Sequence, residues 1–154
     1  MHWHAVFLKT KSTNVVKNAI LTIDGNNSIS YLMNSVLGKK YAVTSVKSYT
    51  DAIGHLQNDL NKDLIILDIA DSESDNFQLL EHIHSSAILQ NIRTIVISNS
   101  DDETLKHKTS ELGASYFFTK PFDPEYLSNK VEDLIDASGK KLVRKRNTFN
   151  LNIF

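Results

Sequence analysis

Four polar side chains stand where short apolar runs of the sequence end, and their chemistry is complementary. They are Asp24, Asp68, Ser98 and Lys120. If the runs are parallel strands of one sheet, these side chains meet at its carboxyl edge, where open α/β sheets bind ligands. Two carboxylates suit Mg²⁺, and an ammonium group with a hydroxyl suits phosphate oxygens. Taken alone, Asp68 is equally well explained as a residue that only hydrogen-bonds the following loop.

Five apolar runs predict the strands that position these side chains. The middle run, Leu64–Leu67, is unbroken and rich in β-forming residues, which is typical of a central parallel strand covered by helices on both faces. The predicted strands are Ala19–Ile23, Tyr41–Val46, Lys62–Leu67, Thr94–Ser98 and Tyr116–Thr119. Helical periodicity follows each of them, so we predict an α/β fold, a doubly wound (βα)5 unit with a parallel sheet and right-handed crossovers.

Capping residues predict where the helices begin and end. The predicted starts are Ser28 or Asn27, Thr50, Asp75 or Asn76, Asp101 and Asp123, and the glycines Gly38 and Gly113 close the first and fourth helices. The second helix is expected to run to about Leu60 and to bury it. The helix at Asp101–Leu112 has only Leu105, Leu112 and Thr104 for an inner face, so we expect it to be the least firmly held.

Composition indicates one globular domain. The chain has 154 residues, of which 41% are apolar and 23% charged, and it has no cysteine, which excludes disulfides and thiolate metal sites. It shows neither a membrane span nor a signal peptide, so we expect a cytoplasmic protein. All 18 acids lie between Asp24 and Asp136 together with nine of the 17 Lys and Arg residues. We therefore divide the chain into an extension at 1–18, an acidic domain at 19–137 and a basic tail at 138–154.

The two ends carry patterns of their own. The basic tail either binds an anionic partner or is simply a solvated end, and nucleic acid is an expected partner only through this tail. Phe149, Leu151 and Ile153 alternate with polar residues as in a strand, and Trp3 and Phe7 belong to a looser version of this spacing. These ends either pair with each other, with a sheet edge or with a second copy in a homodimer, or they are disordered.

Four stretches of the sequence carry a family resemblance. They are ILTIDGNN at 20–27, DLIILDIADSESDNF at 63–77, TIVISNSDD at 94–102 and GASYFFTKPFDPEYL at 113–127. In their order and spacing the chain resembles the CheY-like receiver domains of response regulators in two-component signalling. The resemblance covers nearly all of residues 19–137 and implies a flavodoxin-like fold with strand order 2-1-3-4-5.

The resemblance implies roles for the residues that match the family motif. Asp68 matches the phosphoacceptor, which takes a phosphoryl group from a phosphohistidine on a sensor histidine kinase or histidine phosphotransfer protein. Lys120 matches the lysine that pairs first with this aspartate and then with the phosphoryl group, and the Lys120–Pro121 bond is expected to be cis. Ser98 matches the hydroxyl that closes onto the phosphoryl oxygens, and Phe117 matches the aromatic switch residue that follows it inward.

The implied metal site departs from the family pattern. Gly25 stands where the family has a second acid that ligates Mg²⁺ directly, so Mg²⁺ is expected to be held weakly. The implied ligands are Asp24, Asp68 and the backbone carbonyl of Ala70, and Asp71 is a further candidate for partial substitution of the missing acid.

Three further positions differ from the family in the neighbourhood of the acceptor. Asp71-Ser72 replaces the usual Met-Pro, and Asn76 stands where the family commonly has Gly. Asn99 replaces a small residue beside the site, where it would crowd the entry of the phosphodonor or of hydrolytic water.

Two functions follow from these observations. The chain is either a phosphorylatable receiver that switches a partner-binding face, or a pseudo-receiver that binds proteins without metal-dependent phosphorylation. We do not predict an enzyme, because Ala70 occupies the place of the general acid in aspartyl-nucleophile phosphatases. Only 18 residues follow Asp136, too few for an output domain, so we expect output through an unidentified partner or through the tail.

Overall fold

A computed structural model describes residues 17–137 of the chain. The predictions made for residues 1–16 and 138–154, namely the strand-like ends and the basic tail, lie outside the described residues. Between residues 17 and 137, no helix combines the length and the apolar character that crossing a bilayer requires.

Within residues 17–137, five strands form a single parallel sheet and alternate along the chain with five helices. The strands are β1 (Ala19–Ile23), β2 (Ala42–Val46), β3 (Leu64–Asp68), β4 (Arg93–Ser98) and β5 (Tyr116–Thr119). The helices are α1 (Asn27–Leu37), α2 (Tyr49–Asn58), α3 (Asp75–Ser85), α4 (Glu103–Glu111) and α5 (124–137). The sheet order is β2-β1-β3-β4-β5 with parallel pairing throughout, which confirms the predicted flavodoxin-like fold.

The strand residues build two apolar layers, one on each face of the sheet. Successive strand residues point to opposite faces, so Ile65 and Leu67 join the layer under α2, α3 and α4, while Leu64 and Ile66 join the layer under α1 and α5. All four side chains are essentially inaccessible to solvent. The unbroken apolar run of β3 is therefore explained by burial on both faces.

Three predicted helix starts are wrong by one or two residues. The cap of α2 is Ser48 and not Thr50, since the Ser48 hydroxyl accepts the Asp51 N–H at 3.1 Å. The cap of α4 is Asp102 and not Asp101, since its carboxylate accepts the Thr104 N–H at 3.1 Å. Helix α1 already includes Asn27 and Ser28, so its cap precedes both. In each case several neighbouring polar residues suit the cap, so residue type alone does not select one of them.

Two burial predictions also fail. Leu60 is 48% exposed, because α2 ends at Asn58 and Leu60 therefore does not extend the buried face of that helix. Thr104 is exposed, and the buried polar residue of α4 is instead Thr109, one turn after Leu105. Leu105 is the only apolar side chain within α4, and it is buried. That this helix is the least firmly held stays a prediction.

Gly113 closes α4 in a conformation that favours glycine. Its φ of +86° lies in the left-handed region, and its N–H donates to the Ser110 carbonyl at 2.9 Å. A Cβ at this position would also come within 3.2 Å of His84 Nδ1. The tight closure leads directly into β5 and Lys120.

The packing of α5 against the sheet yields a stability prediction. Leu127 in α5 is fully buried, so Leu127→Ala should lower the free energy of unfolding by about 2–5 kcal/mol through lost burial and a residual cavity. Leu60→Ala, at the 48% exposed position, should change it by less than about 1 kcal/mol. Urea unfolding of both variants checks this, and equal losses would show that α5 is not packed as described.

Candidate functional site

Asp68 and Lys120 form an ion pair at the carboxyl edge of the sheet. Lys120 Nζ donates to Asp68 Oδ2 at 2.7 Å, although the two residues are 52 positions apart in the chain. Asp68 is the last residue of β3 and Lys120 follows β5, with β4 between them. Their side chains are only 17% and 21% exposed, so the pair is screened less by solvent than a surface pair.

Asp24 is a buried carboxylate beside this pair. It is 2% exposed, and its Oδ1 accepts the Asn26 N–H at 2.9 Å, whereas its buried Oδ2 finds no hydrogen-bond partner among the described residues. Burial raises the pKa of Asp24 above its ordinary value of 3.8; the Asn26 N–H opposes this rise, the Asp68 carboxylate adds to it, and the Lys120 ammonium group opposes it. The site therefore holds two carboxylates and one ammonium group.

Ser98 lies at the end of β4 and is fully buried. Its backbone carbonyl accepts the Lys120 N–H at 2.8 Å, which ties the ends of β4 and β5 together. Its hydroxyl oxygen accepts the Ser100 N–H at 3.1 Å, and the hydroxyl hydrogen is not used in that bond. Ser98 thus retains a donor for a ligand at this edge.

Phe117 lies on β5 and is half-buried against the apolar layer under α2, α3 and α4. Lys106 Nζ from α4 stands 5.9 Å from its ring centroid, within cation–π range. The aromatic residue that the sequence assigns to a switch thus connects the sheet to α4. The Lys120–Pro121 peptide bond that follows β5 is cis, as expected.

Ala70 and Asp71 are both exposed in the loop that follows β3. Ala70 is exposed and lines a polar cavity of about 120 Å³ that also contacts Asp102 and Lys108. Asp71 Oδ1 accepts the Glu73 N–H at 2.9 Å, so its carboxylate already serves its own loop. This contact gives no support to Asp71 as a substitute for the missing acid.

Gly25 and Asn99 are both exposed next to the site. A Cβ built on Gly25 would meet only the Lys47 carbonyl oxygen, at an ordinary contact distance of 3.7 Å. The backbone at this position therefore has room for a side chain, and glycine is not required there by φ or by packing.

Asn76 is part of the site and was interpreted from the sequence only as a departure from the family. Its Nδ2 donates to the Asp68 carbonyl at 2.8 Å and lies 3.4 Å from the Ile23 carbonyl. The residue is the second of α3, directly after the acidic loop. The sequence alone carries no signal for this contact, because the two strand ends that the amide meets are distant from each other in the chain.

The arrangement suits phosphoryl chemistry assisted by a cation. A partly buried carboxylate is a nucleophile, and the neighbouring ammonium group neutralises charge on an incoming phosphoryl group. The unpartnered Asp24 Oδ2 fits a divalent cation, which would satisfy it. Residues 17–137 contain no cluster of three or more acidic, His or Cys side chains placed for a metal, so such a site relies on two carboxylates.

Comparison with known proteins agrees with this geometry. Residues 20–132 match the family model described as the response regulator receiver domain. Two-component response regulator ORR3 of Oryza sativa is 31% identical over 125 residues, covering 79% of this chain and 93% of its own. Sporulation initiation phosphotransferase F of Bacillus subtilis is 27% identical over 134 residues, covering 86% of this chain and all of its own.

Solved structures show the same fold. A CheY-like receiver domain protein of Methanospirillum hungatei superposes with a TM-score of 0.72 at 20% identity, covering 81% of this chain and 98% of its own. The phosphorylated cyanobacterial phytochrome response regulator RcpA superposes with a TM-score of 0.68 at 21% identity, covering 80% of this chain and 96% of its own. The family match, the ORR3 similarity and the fold lead to one conclusion: this chain belongs to the response regulator receiver family and is a receiver domain of two-component signalling.

Proposed function

We propose that Asp68 accepts a phosphoryl group from a phosphohistidine on a sensor histidine kinase or histidine phosphotransfer protein. The observation that carries this proposal is the Asp68–Lys120 contact of 2.7 Å in a partly buried position. An Asp68 carboxylate oxygen forms a bond to phosphorus as the phosphorus–nitrogen bond breaks, which gives an acyl phosphate; the histidine leaves as neutral imidazole because its other ring nitrogen carries the proton. The intact pair does not favour the pseudo-receiver alternative.

Lys120 and Ser98 stabilise the phosphorylated form. The Lys120 ammonium group moves from the carboxylate to the phosphoryl oxygens, and the Ser98 hydroxyl donates its unused hydrogen to them. Because the Lys120 N–H already bonds the Ser98 carbonyl, both groups are positioned by the same pair of strand ends.

Mg²⁺ fits this site in a weakly bound form. Asp24, Asp68 and the Ala70 carbonyl are the residues that would hold it, and the unpartnered Oδ2 of Asp24 is the strongest indication. When bound, the cation supplies positive charge that offsets the two carboxylates and the incoming phosphoryl group. Gly25 removes one ligand from the family set, so affinity is expected to be low.

The output of the switch is proposed to pass to a protein partner through α4, β5 and α5. Movement of Ser98 toward the phosphoryl group draws Phe117 inward and away from Lys106, which alters how α4 sits on the sheet. Helix α4 suits this role, since Leu105 is its one fully buried apolar residue. We propose a stoichiometric switch and no enzyme, and we place its action in the cytoplasm.

Phosphorylation itself provides the first prediction. Incubation with Mg²⁺ and phosphoramidate should add one phosphoryl group to the protein, mapped to Asp68 by mass spectrometry, and Asp68→Asn should abolish it. Asp71→Asn is the matched control, because Asp71 is an exposed acid three residues away, in the loop that follows β3. A phosphoryl group that persists in Asp68→Asn would disprove the assignment of the acceptor.

The missing ligand at position 25 provides the second prediction. Gly25→Asp should tighten Mg²⁺ binding by roughly tenfold, equivalent to about 1.4 kcal/mol, because it restores a carboxylate without a steric clash. Gly54→Asp is the control, since a Cβ there has open space and the charge lies on α2 away from the site. Titration followed by NMR measures both affinities, and no gain for Gly25→Asp would place the metal elsewhere.

The raised pKa of Asp24 provides the third prediction. The Asp24 carboxyl group binds its proton more tightly in the folded protein than in the unfolded chain. Its deprotonation therefore lowers the free energy of unfolding as pH rises from 3.8 through the folded pKa. Asp24→Asn should therefore be more stable than the parent at pH 7 in a chelator, and the gain should vanish as pH falls toward 3.8.

A control variant and added Mg²⁺ distinguish the effect of the buried Asp24 charge from the effect of removing any carboxylate. Asp133→Asn, at an exposed position of α5, should change the free energy of unfolding by no more than about 0.5 kcal/mol. Mg²⁺ should stabilise the parent more than Asp24→Asn. Urea unfolding measures the free energy of unfolding in each case. An Asp24→Asn variant that is less stable than the parent at pH 7 without metal would refute the loss of stability assigned to the ionised Asp24 carboxylate.

A further inference from the structure

Two backbone carbonyls face each other across the end of the β1–β3 ladder. The Ile69 N–H donates to the Ile97 carbonyl of β4 at 2.9 Å, so the Asp68 carbonyl of the same trans peptide unit points the opposite way, toward β1. The Asp24 N–H donates to the Val46 carbonyl of β2 at 3.1 Å, so the Ile23 carbonyl points toward β3. The gap between the two strands therefore contains two acceptors.

The side-chain amide of Asn76 lies between these two acceptors. Its Nδ2 is 2.8 Å from the Asp68 carbonyl oxygen and 3.4 Å from the Ile23 carbonyl oxygen, and a primary amide has two hydrogens to donate. The last residue pair of the β1–β3 register is Ile23 with Leu67. Asn76 thus supplies a bridge immediately beyond the point where the strand ladder ends.

The bridged peptide units are those that carry the two acids of the site. One unit joins Ile23 to Asp24, and the other joins Asp68 to Ile69. We propose that Asn76 is a positioning residue that fixes the separation of Asp24 and Asp68, so that a divalent cation binds without rearrangement of the strand ends. This inference rests on the proposed function, and it explains how a site that lacks a carboxylate at Gly25 retains ordered ligands.

The role of Asn76 is separable from the start of the helix that carries it. Ser74 caps α3, since its hydroxyl accepts the Phe77 N–H at 3.3 Å, and it also donates to the Asp71 carbonyl at 2.8 Å. Asn76 bonds the strand ends instead of the helix. Ser74→Ala therefore weakens the helix and leaves the bridge intact, whereas Asn76→Ala removes the bridge and leaves the cap intact.

Mg²⁺ titration of the full chain without a phosphodonor tests the proposal. Asn76→Ala should bind Mg²⁺ about tenfold or more weakly than the parent, as when a group that orients a metal ligand is removed. Ser74→Ala should change the affinity by less than about twofold while lowering the urea midpoint. Asn76→Gly, which carries the residue common in the family, is the second variant should Asn76→Ala not fold, and it should show the same loss.

Amide hydrogen exchange in a chelator gives a readout that does not depend on metal. Exchange of the Asp24 and Ile69 N–H groups, which bond β2 and β4, should be faster in Asn76→Ala and unchanged in Ser74→Ala. Equal Mg²⁺ affinities in Asn76→Ala and Ser74→Ala would overturn the positioning role. A parent chain that neither binds Mg²⁺ nor becomes phosphorylated would overturn the proposed function. It would also overturn the role of Asn76 in positioning ligands for a cation.

Discussion

The site depends on an imbalance of charge held at the carboxyl edge of the sheet. Asp24 and Asp68 bring two carboxylates together, and Lys120 neutralises only one of them at 2.7 Å. Asp24 is almost fully buried, so solvent does little to relieve the remaining negative charge, and its pKa rises as a result. An added cation would offset this remaining negative charge, which is the basis of the proposed metal site.

The sheet is what makes this imbalance persist. Strands β1, β3 and β5 place their terminal side chains at one edge, and apolar layers on both faces fix the strands in register. The Ser98–Lys120 backbone bond joins the outer ends, and the Asn76 amide joins the inner ends. Each charged group is therefore held by a backbone contact close to its own Cα, which limits its freedom to move away from a like charge.

Much of this arrangement was predictable from the sequence. Apolar runs such as Leu64–Leu67 identify buried parallel strands, and the polar residue that ends each run falls at the ligand edge. The strand order came from the family resemblance, because periodicity does not specify which strands are neighbours. Caps at Ser48 and Asp102 were missed since neighbouring polar residues compete for them, and the bridge made by Asn76 depends on two strands that are distant in sequence.

A crystal structure of the protein with Mg²⁺ and beryllium fluoride, a mimic of the phosphoryl group, would show whether Asp68 and Lys120 form a phosphoryl-accepting site. Beryllium should be bonded to an Asp68 carboxylate oxygen, with Lys120 Nζ and the Ser98 hydroxyl on its fluorines. Mg²⁺ should contact the side of the site formed by Asp24 and the Ala70 carbonyl. A structure that leaves the Asp68–Lys120 pair closed, with both ions absent from this edge at saturating concentration, would show that the pair is only structural.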